Sequence, residues 1–228
     1  MPPFPRRGLE MKLLCLSDIH GEAAGLEKLL SGSETVDIVI VAGDITHLGG
    51  RAEAQSVLAP IMSSGSRLIA VAGNMDREGA REYLGELGVD LHGRGIVIDG
   101  VGFMGLGGGT PSPFGTPWEL SDEEAAGCLA AGSAQIADAS FRVLVSHAPP
   151  RGTELDRGFG RQHVGSDPVR KFLLGGSMNL CVCGHIHESA GVDTIGGADC
   201  VNIGPFKNGN YALVTIDGGR ASVTRRTR

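Results

Sequence analysis

The chain has 228 residues, 41% of them hydrophobic, and a net charge of −6. That length suits one α/β domain able to bury roughly 70% or more of its unfolded surface. The acidic balance argues against a broad nucleic-acid footprint, which asks for a basic stripe, and no run approaches the ~18 apolar residues of a membrane span.

Residues 1–10 hold three prolines and two arginines but no apolar signal core. They read as a flexible extension ahead of a single domain over 11–228, and either Met1 or Met11 fits as the start. A strand follows at 12–17, then an amphipathic stretch carrying Leu26, Leu29 and Leu30. Strand 36–42, a helix near 51–63, strand 67–72 and a helix near 77–87 come next. Apolar runs such as Val36-Asp37-Ile38-Val39-Ile40-Val41 fit central parallel strands covered on both faces, joined as right-handed βαβ units. In the middle, Ile96-Val97-Ile98-Asp99 and Val101-Gly102-Phe103-Met104 flank Gly100 as a hairpin. A Gly/Pro loop over 105–117 is of the length that is often functional, and it suits an active-site rim. A helix starts at Ser121, with Glu124 completing a capping box. Strand 141–145 leads into a long loop, 148–165, and a helix capped by Ser166 or Asp167 with Pro168 in its first turn. Strand 179–183 and short runs at 190–195, 199–203 and 210–217 close the chain in what reads as an antiparallel ending. The basic Thr224-Arg225-Arg226-Thr227-Arg228 reads as a solvated tail. The five cysteines are odd in number and several fall in strands, so they read as reduced core thiols of a cytoplasmic protein.

Polar residues stand immediately after five of the strands: Asp18-Ile19-His20, Gly43-Asp44, Gly73-Asn74-Met75-Asp76, Ser146-His147 and Gly184-His185-Ile186-His187. In open α/β sheets ligands bind beyond the carboxyl ends of the strands, so these groups are expected to meet. Residues two apart at a strand end point the same way. Asp18 and His20 can therefore grip one ion, and the same spacing reads His185 and His187 onto one ion. Carboxylate and imidazole ligands suit Mn, Fe, Co, Ni or Zn. Seven ligands (Asp18, His20, Asp44, Asn74, His147, His185 and His187) exceed one tetrahedral site and match two ions sharing Asp44. Ions ~3.5–4 Å apart can clamp a phosphate and activate a bridging water. Neighbouring glycines fit tight turns where the backbone comes close.

Competing patterns are weaker. Cys181 and Cys183 with His185 and His187 have the look of a zinc cluster, but the cysteines would lie within the sheet. Gly105-Leu106-Gly107-Gly108-Gly109 is similar to a nucleotide loop, yet Pro111 and Pro113 stand where its helix should begin. Ser146 lacks the G-x-S-x-G surround of a nucleophile. His47 and His92 read as surface or turn residues. His163, in the long loop, reads equally as a substrate contact at the site periphery or as a plain loop residue, and Arg77, next to Asp76, equally as a phosphate contact or as a surface residue at a helix start.

As a set, these motifs resemble the calcineurin-like metallophosphoesterases, over residues 12–187. The family pattern is Asp-x-His, Gly-Asp, Gly-Asn-His-Asp/Glu, a later His, and Gly-His-x-His. The resemblance implies an α/β, four-layer αββα sandwich of two mixed β-sheets flanked by helices. It implies two divalent metal ions, with Asp18, His20, Asp44 and His187 on one and Asp44, Asn74, His147 and His185 on the other. On this reading Asp44, Asn74, Asp76 and His147 form the catalytic set and Asn74 a substrate contact, with His163 and Arg77 the candidate further contacts from their own positions. One position departs: Met75 stands where the family has the His that binds phosphate and helps protonate the leaving group. Met has no proton to give; Asp76, a metal-bound water or His163 could substitute. Small bacterial and archaeal members also lack this His and are associated with phosphodiesterase activity. The expectation is a cytoplasmic enzyme hydrolysing a small-molecule phosphodiester by attack of a metal-bridging hydroxide, with manganese among the metals and a homo-oligomer open. The alternatives are a phosphomonoesterase and a non-catalytic scaffold; a retromer subunit shares the fold as an interaction protein.

Overall fold

The computed structural model describes residues 10–32, 35–113 and 115–228. Of the expected extension over 1–10, all but Glu10 lies outside the described residues. The first half is β1 (Met11–Leu16), α1 (Ala23–Gly32), β2 (Ile38–Ala42), α2 (Arg51–Ser63), β3 (Arg67–Val71) and α3 (Glu78–Glu86). Then come β4 (Gly95–Ile98), β5 (Val101–Leu106), α4 (Asp122–Ala134), β6 (Phe141–Ser146), α5 (Asp167–Leu174) and β7 (Leu180–Cys183). The chain closes with β8 (Gly191–Ile195), β9 (Ala198–Asn202), β10 (Asn210–Asp217) and β11 (Arg220–Thr227). One sheet runs β11-β10-β1-β2-β3 and the other β4-β5-β6-β7-β9-β8. Both are mixed, with parallel β1–β2–β3 and β5–β6–β7–β9.

Strand alternation sorts the apolar residues into three layers of core. Leu13, Cys15, Ile40 and Val71 of one sheet meet Phe103, Val143 and Val182 of the other. Their neighbours Leu14, Leu16, Val39 and Val41 face outward onto Leu26, Val57, Leu58 and Leu84 of α1, α2 and α3. Met104, Leu144 and Cys181 face outward onto Leu129, Val169 and Leu173 of α4 and α5. This is the expected αββα sandwich, and it explains the unbroken apolar runs: each central strand is covered twice. The β4–β5 turn places Asp99 and Gly100 both at positive φ, the demand of a two-residue hairpin. Ser121 caps α4 with the reciprocal Glu124 bond, and Ser166 caps α5. Among the described residues no helix is long and apolar enough to cross a membrane.

One reading is corrected. The basic ending is not a solvated tail: residues 220–227 form β11, paired with β10 over eight positions. Ala221 and Val223 pack against the inter-sheet core, Ser222, Thr224 and Arg226 face out, and Arg225, in phase with the inward positions, is half-buried and donates from Nη2 to the Ile203 carbonyl at 3.4 Å. A period-two pattern was present, masked by charge. The zinc-cluster pattern is set aside as expected: Cys181 and Cys183 lie within the sheet, buried in the outer core beside helices, and Cys183 Sγ donates to the Val201 carbonyl.

Candidate metal centre

Each expected ligand lies in the segment just beyond the carboxyl end of β1, β2, β3, β6 or β7. Four of them, Asp18, His20, Asp44 and His185, have positive φ values of 53°, 49°, 50° and 68°. Non-glycine residues rarely sit there, and such strain gathers at functional sites. The left-handed turns, not strand alternation, aim these side chains. Backbone bonds lock them: Asp18 N–H donates to the Gly43 carbonyl at 3.0 Å and His20 N–H to the Asp44 carbonyl at 2.9 Å. Glycine is obligatory beside them. A Cβ on Gly184 would overlap Ser17 Oγ and Asp18 Oδ2, and one on Gly43 would overlap the His147 ring.

The ligands fall into two groups, Asp18–His20–His187 and Asp44–His147–His185. The two-apart spacing thus misplaces the last pair. His185, turned back by its positive φ, gives its N–H to Asp18 Oδ2 at 3.0 Å and sends its ring to His147, 4.8 Å between centroids. His187 Nε2 reaches Asp18 Oδ1 at 3.0 Å. Asp44 faces both groups, with Oδ2 3.7 Å from His20 Nε2 and Oδ1 3.4 Å from His147 Nε2. Asn74 Oδ1 lies 2.9 Å from His147 Nε2. His147 Nδ1 reaches the Ala42 carbonyl at 2.9 Å, which makes Nδ1 the protonated nitrogen and turns the Nε2 lone pair inward.

The donor set fits divalent metal ions. Asp18, Asp44 and Asp76 are buried within one cluster, an arrangement of like charge that costs heavily without a cation. Both ring nitrogens of His20 are buried and lack a hydrogen-bond partner. His20 Nε2 stands 3.8 and 3.7 Å from the Asp18 and Asp44 oxygens, too long for hydrogen bonds and suited to donors around a shared ion.

The protein's own charges bear on these groups strongly. Burial, aided by the charges of Asp18 and Asp76, pushes Asp44 up to about 7. Burial also opposes ionisation of Asp18, but the imidazoles of His187 and His147 and the Ser17 hydroxyl hold it well below the usual carboxylate range. Burial lowers His20 to about 4 and His185 to about 3, keeping both neutral, as ligands must be. Burial works against charge on His147 too, yet Asp44 and Asp18 raise it above the ordinary value.

The remaining expected residues are placed differently. Asp76 is fully buried beneath the ligands. Its carboxylate accepts from Ile45 N at 3.1 Å, Thr46 N at 2.8 Å, Thr46 Oγ1 at 2.7 Å and Gly73 N at 2.8 Å. It ties the Asp44 turn to the Asn74 turn and turns no edge to a substrate. Met75 is half-buried, and its N–H donates to Asp44 Oδ1 at 2.9 Å. Arg77 is exposed at the head of α3. His163 is partly exposed, with Nδ1 2.7 Å from the buried carboxylate of Asp156.

Two neighbours had no sequence signal. Lys207 is exposed, and its N–H donates to the Asp18 carbonyl at 3.4 Å. Its ammonium is close enough to His20 to help lower that pKa. His47, read as a surface residue, is exposed but packs edge-on to His20, 5.5 Å between ring centroids. His92, read likewise, is half-buried against Trp118 and Cys128.

The sequence model of the calcineurin-like phosphoesterase family matches residues 11–189. An uncharacterized protein of Methanocaldococcus jannaschii is 33% identical over 202 residues, covering 86% of this chain and 88% of that one. Among solved structures, TT1561 of Thermus thermophilus aligns with a TM-score of 0.71 at 18% identity, over 94% of this chain and 98% of that one. A dimetal phosphatase from Danio rerio aligns with a TM-score of 0.64 at 14% identity, over 97% and 99%. At such identities these structures speak for the fold alone.

Proposed function

This chain belongs to the calcineurin-like phosphoesterase family, and we propose on that premise that it is a dinuclear metal-dependent phosphodiesterase of the cytoplasm. The observation that carries the reading is Asp44, whose two oxygens face two separate ligand groups. Asp18, His20, Asp44 and His187 would hold one divalent ion, and Asp44, Asn74, His147 and His185 the other. Two such ions, with manganese the first to try and Fe, Zn, Ni and Co the alternatives, supply acidification of water and withdrawal of charge from phosphoryl oxygens. The chain's own residues do the positioning. Ser17 and the His185 amide orient Asp18, the Ala42 carbonyl orients His147, and the Met75 amide fixes one oxygen of Asp44. Lys207, exposed and close enough to act on His20, brings a cationic group to a phosphate that must bind as an anion. The five cysteines are free, which suits a reducing compartment.

Preference for a diester follows from Met75. A side chain with no proton to give leaves leaving-group departure unaided at that position, and a diester with a stable leaving anion suffers least. The test is a comparison of bis(4-nitrophenyl) phosphate with 4-nitrophenyl phosphate, using chelator-stripped protein reloaded in turn with Mn, Ni, Zn and Fe. A higher kcat/KM for the diester supports the reading. A higher value for the monoester under every metal contradicts it.

A further inference from the structure

The loop between β6 and α5 contains a small hairpin whose place was not evident from sequence. Arg157 and His163 form an antiparallel bridge, and Gly158 N–H donates to the Gln162 carbonyl at 2.9 Å. The tip, Phe159–Arg161, is exposed, and Phe159 stands 92% open to solvent. The hairpin is anchored to segments that carry four of the ligands. Ser189, ending the turn that begins at His187, donates its hydroxyl to the Arg157 carbonyl at 2.8 Å. The Asn202 side-chain amide donates to the carbonyls of Leu155 at 3.0 Å and Ile186 at 2.9 Å, and Ile186 lies between His185 and His187. The Thr110 hydroxyl reaches the Val164 carbonyl at 3.4 Å, and the adjacent Gly109 packs on Asn74 so closely that a Cβ would stand 2.8 Å from the Asn74 Cβ. Ser166 N–H donates to the Pro149 carbonyl at 2.8 Å, two residues beyond His147.

Within this frame His163 is the one imidazole of the loop, and its orientation is fixed. Asp156 is fully buried and accepts the amides of Gly152, Thr153 and Gly165 at 3.0, 2.9 and 3.0 Å. Burial alone would raise the Asp156 pKa, but His163 and these amides leave it below the ordinary value. An ionised Asp156 needs a donor on its remaining lone pairs, so His163 Nδ1 carries a proton and gives it to Oδ1. The carboxylate thereby sets the tautomer and the ring plane, as buried carboxylates do for working imidazoles. Nε2 is the edge left over, and 35% of the side chain remains open to solvent. Asp76 is enclosed and Met75 has no proton, so neither meets the same need.

We propose that His163, oriented by Asp156, is the proton donor to the leaving oxygen in the role that Met75 cannot fill. The inference rests on the phosphodiesterase reading. In the step, the oxygen of a water molecule bonds to phosphorus as the bond from phosphorus to the leaving oxygen breaks. His163 enters the step as the imidazolium, with Nδ1–H on Asp156 Oδ1 and a second proton on Nε2; the leaving oxygen keeps the bonding electrons and takes the Nε2 proton, which leaves the neutral Nδ1–H tautomer. One proton of the attacking water returns to Nε2 through solvent, and the other stays on the product phosphate. Asp156 is a positioning residue in this scheme.

The experiment uses the full chain reloaded with metal and a series of methyl aryl phosphates whose leaving phenols run from 4-nitrophenol to unsubstituted phenol. In His163→Gln, kcat on the phenyl ester should fall about 10²-fold or more, within the range of general-acid catalysis, while the nitrophenyl ester loses less than about ten-fold. In His163→Ala, added imidazole should restore part of the phenyl-ester rate. Metal content of both variants, read by elemental analysis, should equal that of the wild type. Equal falls on both esters, no fall, or loss of metal in the variants would each overturn the proposal while leaving the diesterase reading intact. A wild type that turns over no diester with any metal would remove the reading and the proposal together.

Discussion

Replacing Asp76 by Asn separates a residue that builds the centre from one that does its chemistry. The carboxylate accepts four hydrogen bonds, from Ile45 N, Thr46 N, Thr46 Oγ1 and Gly73 N, and is fully buried. Asn keeps one oxygen with two lone pairs and turns an NH2 toward donors that need acceptors. Two donors are stranded, each at about 1–3 kcal/mol. Burial raises the Asp76 pKa against the pull of those donors, so removing the charge returns part of the loss. The net expectation is about 2–4 kcal/mol of destabilisation, or roughly 4–16 °C in Tm for a chain of this size. The stranded amides belong to the turns carrying Asp44 and Asn74, so metal affinity should fall with stability, while the pH profile of the metal-saturated variant keeps its shape. Urea unfolding of metal-free protein, metal titration and a kcat profile against pH provide the three readouts. Asp76→Asn within about 0.5 kcal/mol of wild type, or a lost limb of the pH profile at full metal occupancy, would refute the reasoning.

Other substitutions probe the rim and the fold. Met75→His introduces an imidazole next to Asn74 and should raise hydrolysis of alkyl monoesters more than of nitrophenyl phosphate, because only the former need the proton; an unchanged alkyl-to-nitrophenyl ratio with both ions bound would show that the acid is not missing there. Lys207→Ala should raise KM about ten-fold, the loss of one charged contact to the phosphate, with little change in kcat or metal content; an unchanged KM would remove Lys207 from the substrate. Burial holds the His92 pKa below its ordinary 6.5. As pH falls through 6.5 the unfolded chain takes up a proton that folded His92 refuses, so stability drops with falling pH, by up to about 1.4 kcal/mol per unit. Unfolding of metal-free wild type and His92→Gln from pH 7.5 down to about 5.5 should show their stability gap narrowing as the pH falls; a constant gap would contradict the burial argument.

Much of this centre is legible in the sequence because its ligands obey a local rule: a glycine or serine and then a polar residue directly after a buried apolar run. That rule finds Asp18, Asp44, Asn74, His147 and His185 without knowledge of the fold. It does not tell how they are shared. Strand alternation would pair His185 with His187, but the left-handed backbone at His185 divides them between two groups. Asp76 is legible as part of its motif, yet its role rests on partners 30 and 31 residues away. Lys207 carries no mark at all; it reaches the site because Phe206 and Lys207 hydrogen-bond the carbonyls of Ser17 and Asp18. Strand β11 was hidden by its arginines: Arg220 and Arg226 are exposed, and Arg225, in phase with Ala221 and Val223, is half-buried and donates to the Ile203 carbonyl. In each case the missing information is a contact between segments far apart in the chain.

The most direct test of the dinuclear account is the number and coupling of manganese ions bound by stripped and reloaded protein, before and after Asp44→Asn. The account predicts two ions per wild-type chain, about 3.5–4 Å apart and exchange-coupled in the electron paramagnetic resonance spectrum. Asp44→Asn should hold one ion or fewer, uncoupled, and lose turnover. One ion per wild-type chain, or two coupled ions with normal turnover in Asp44→Asn, would contradict it.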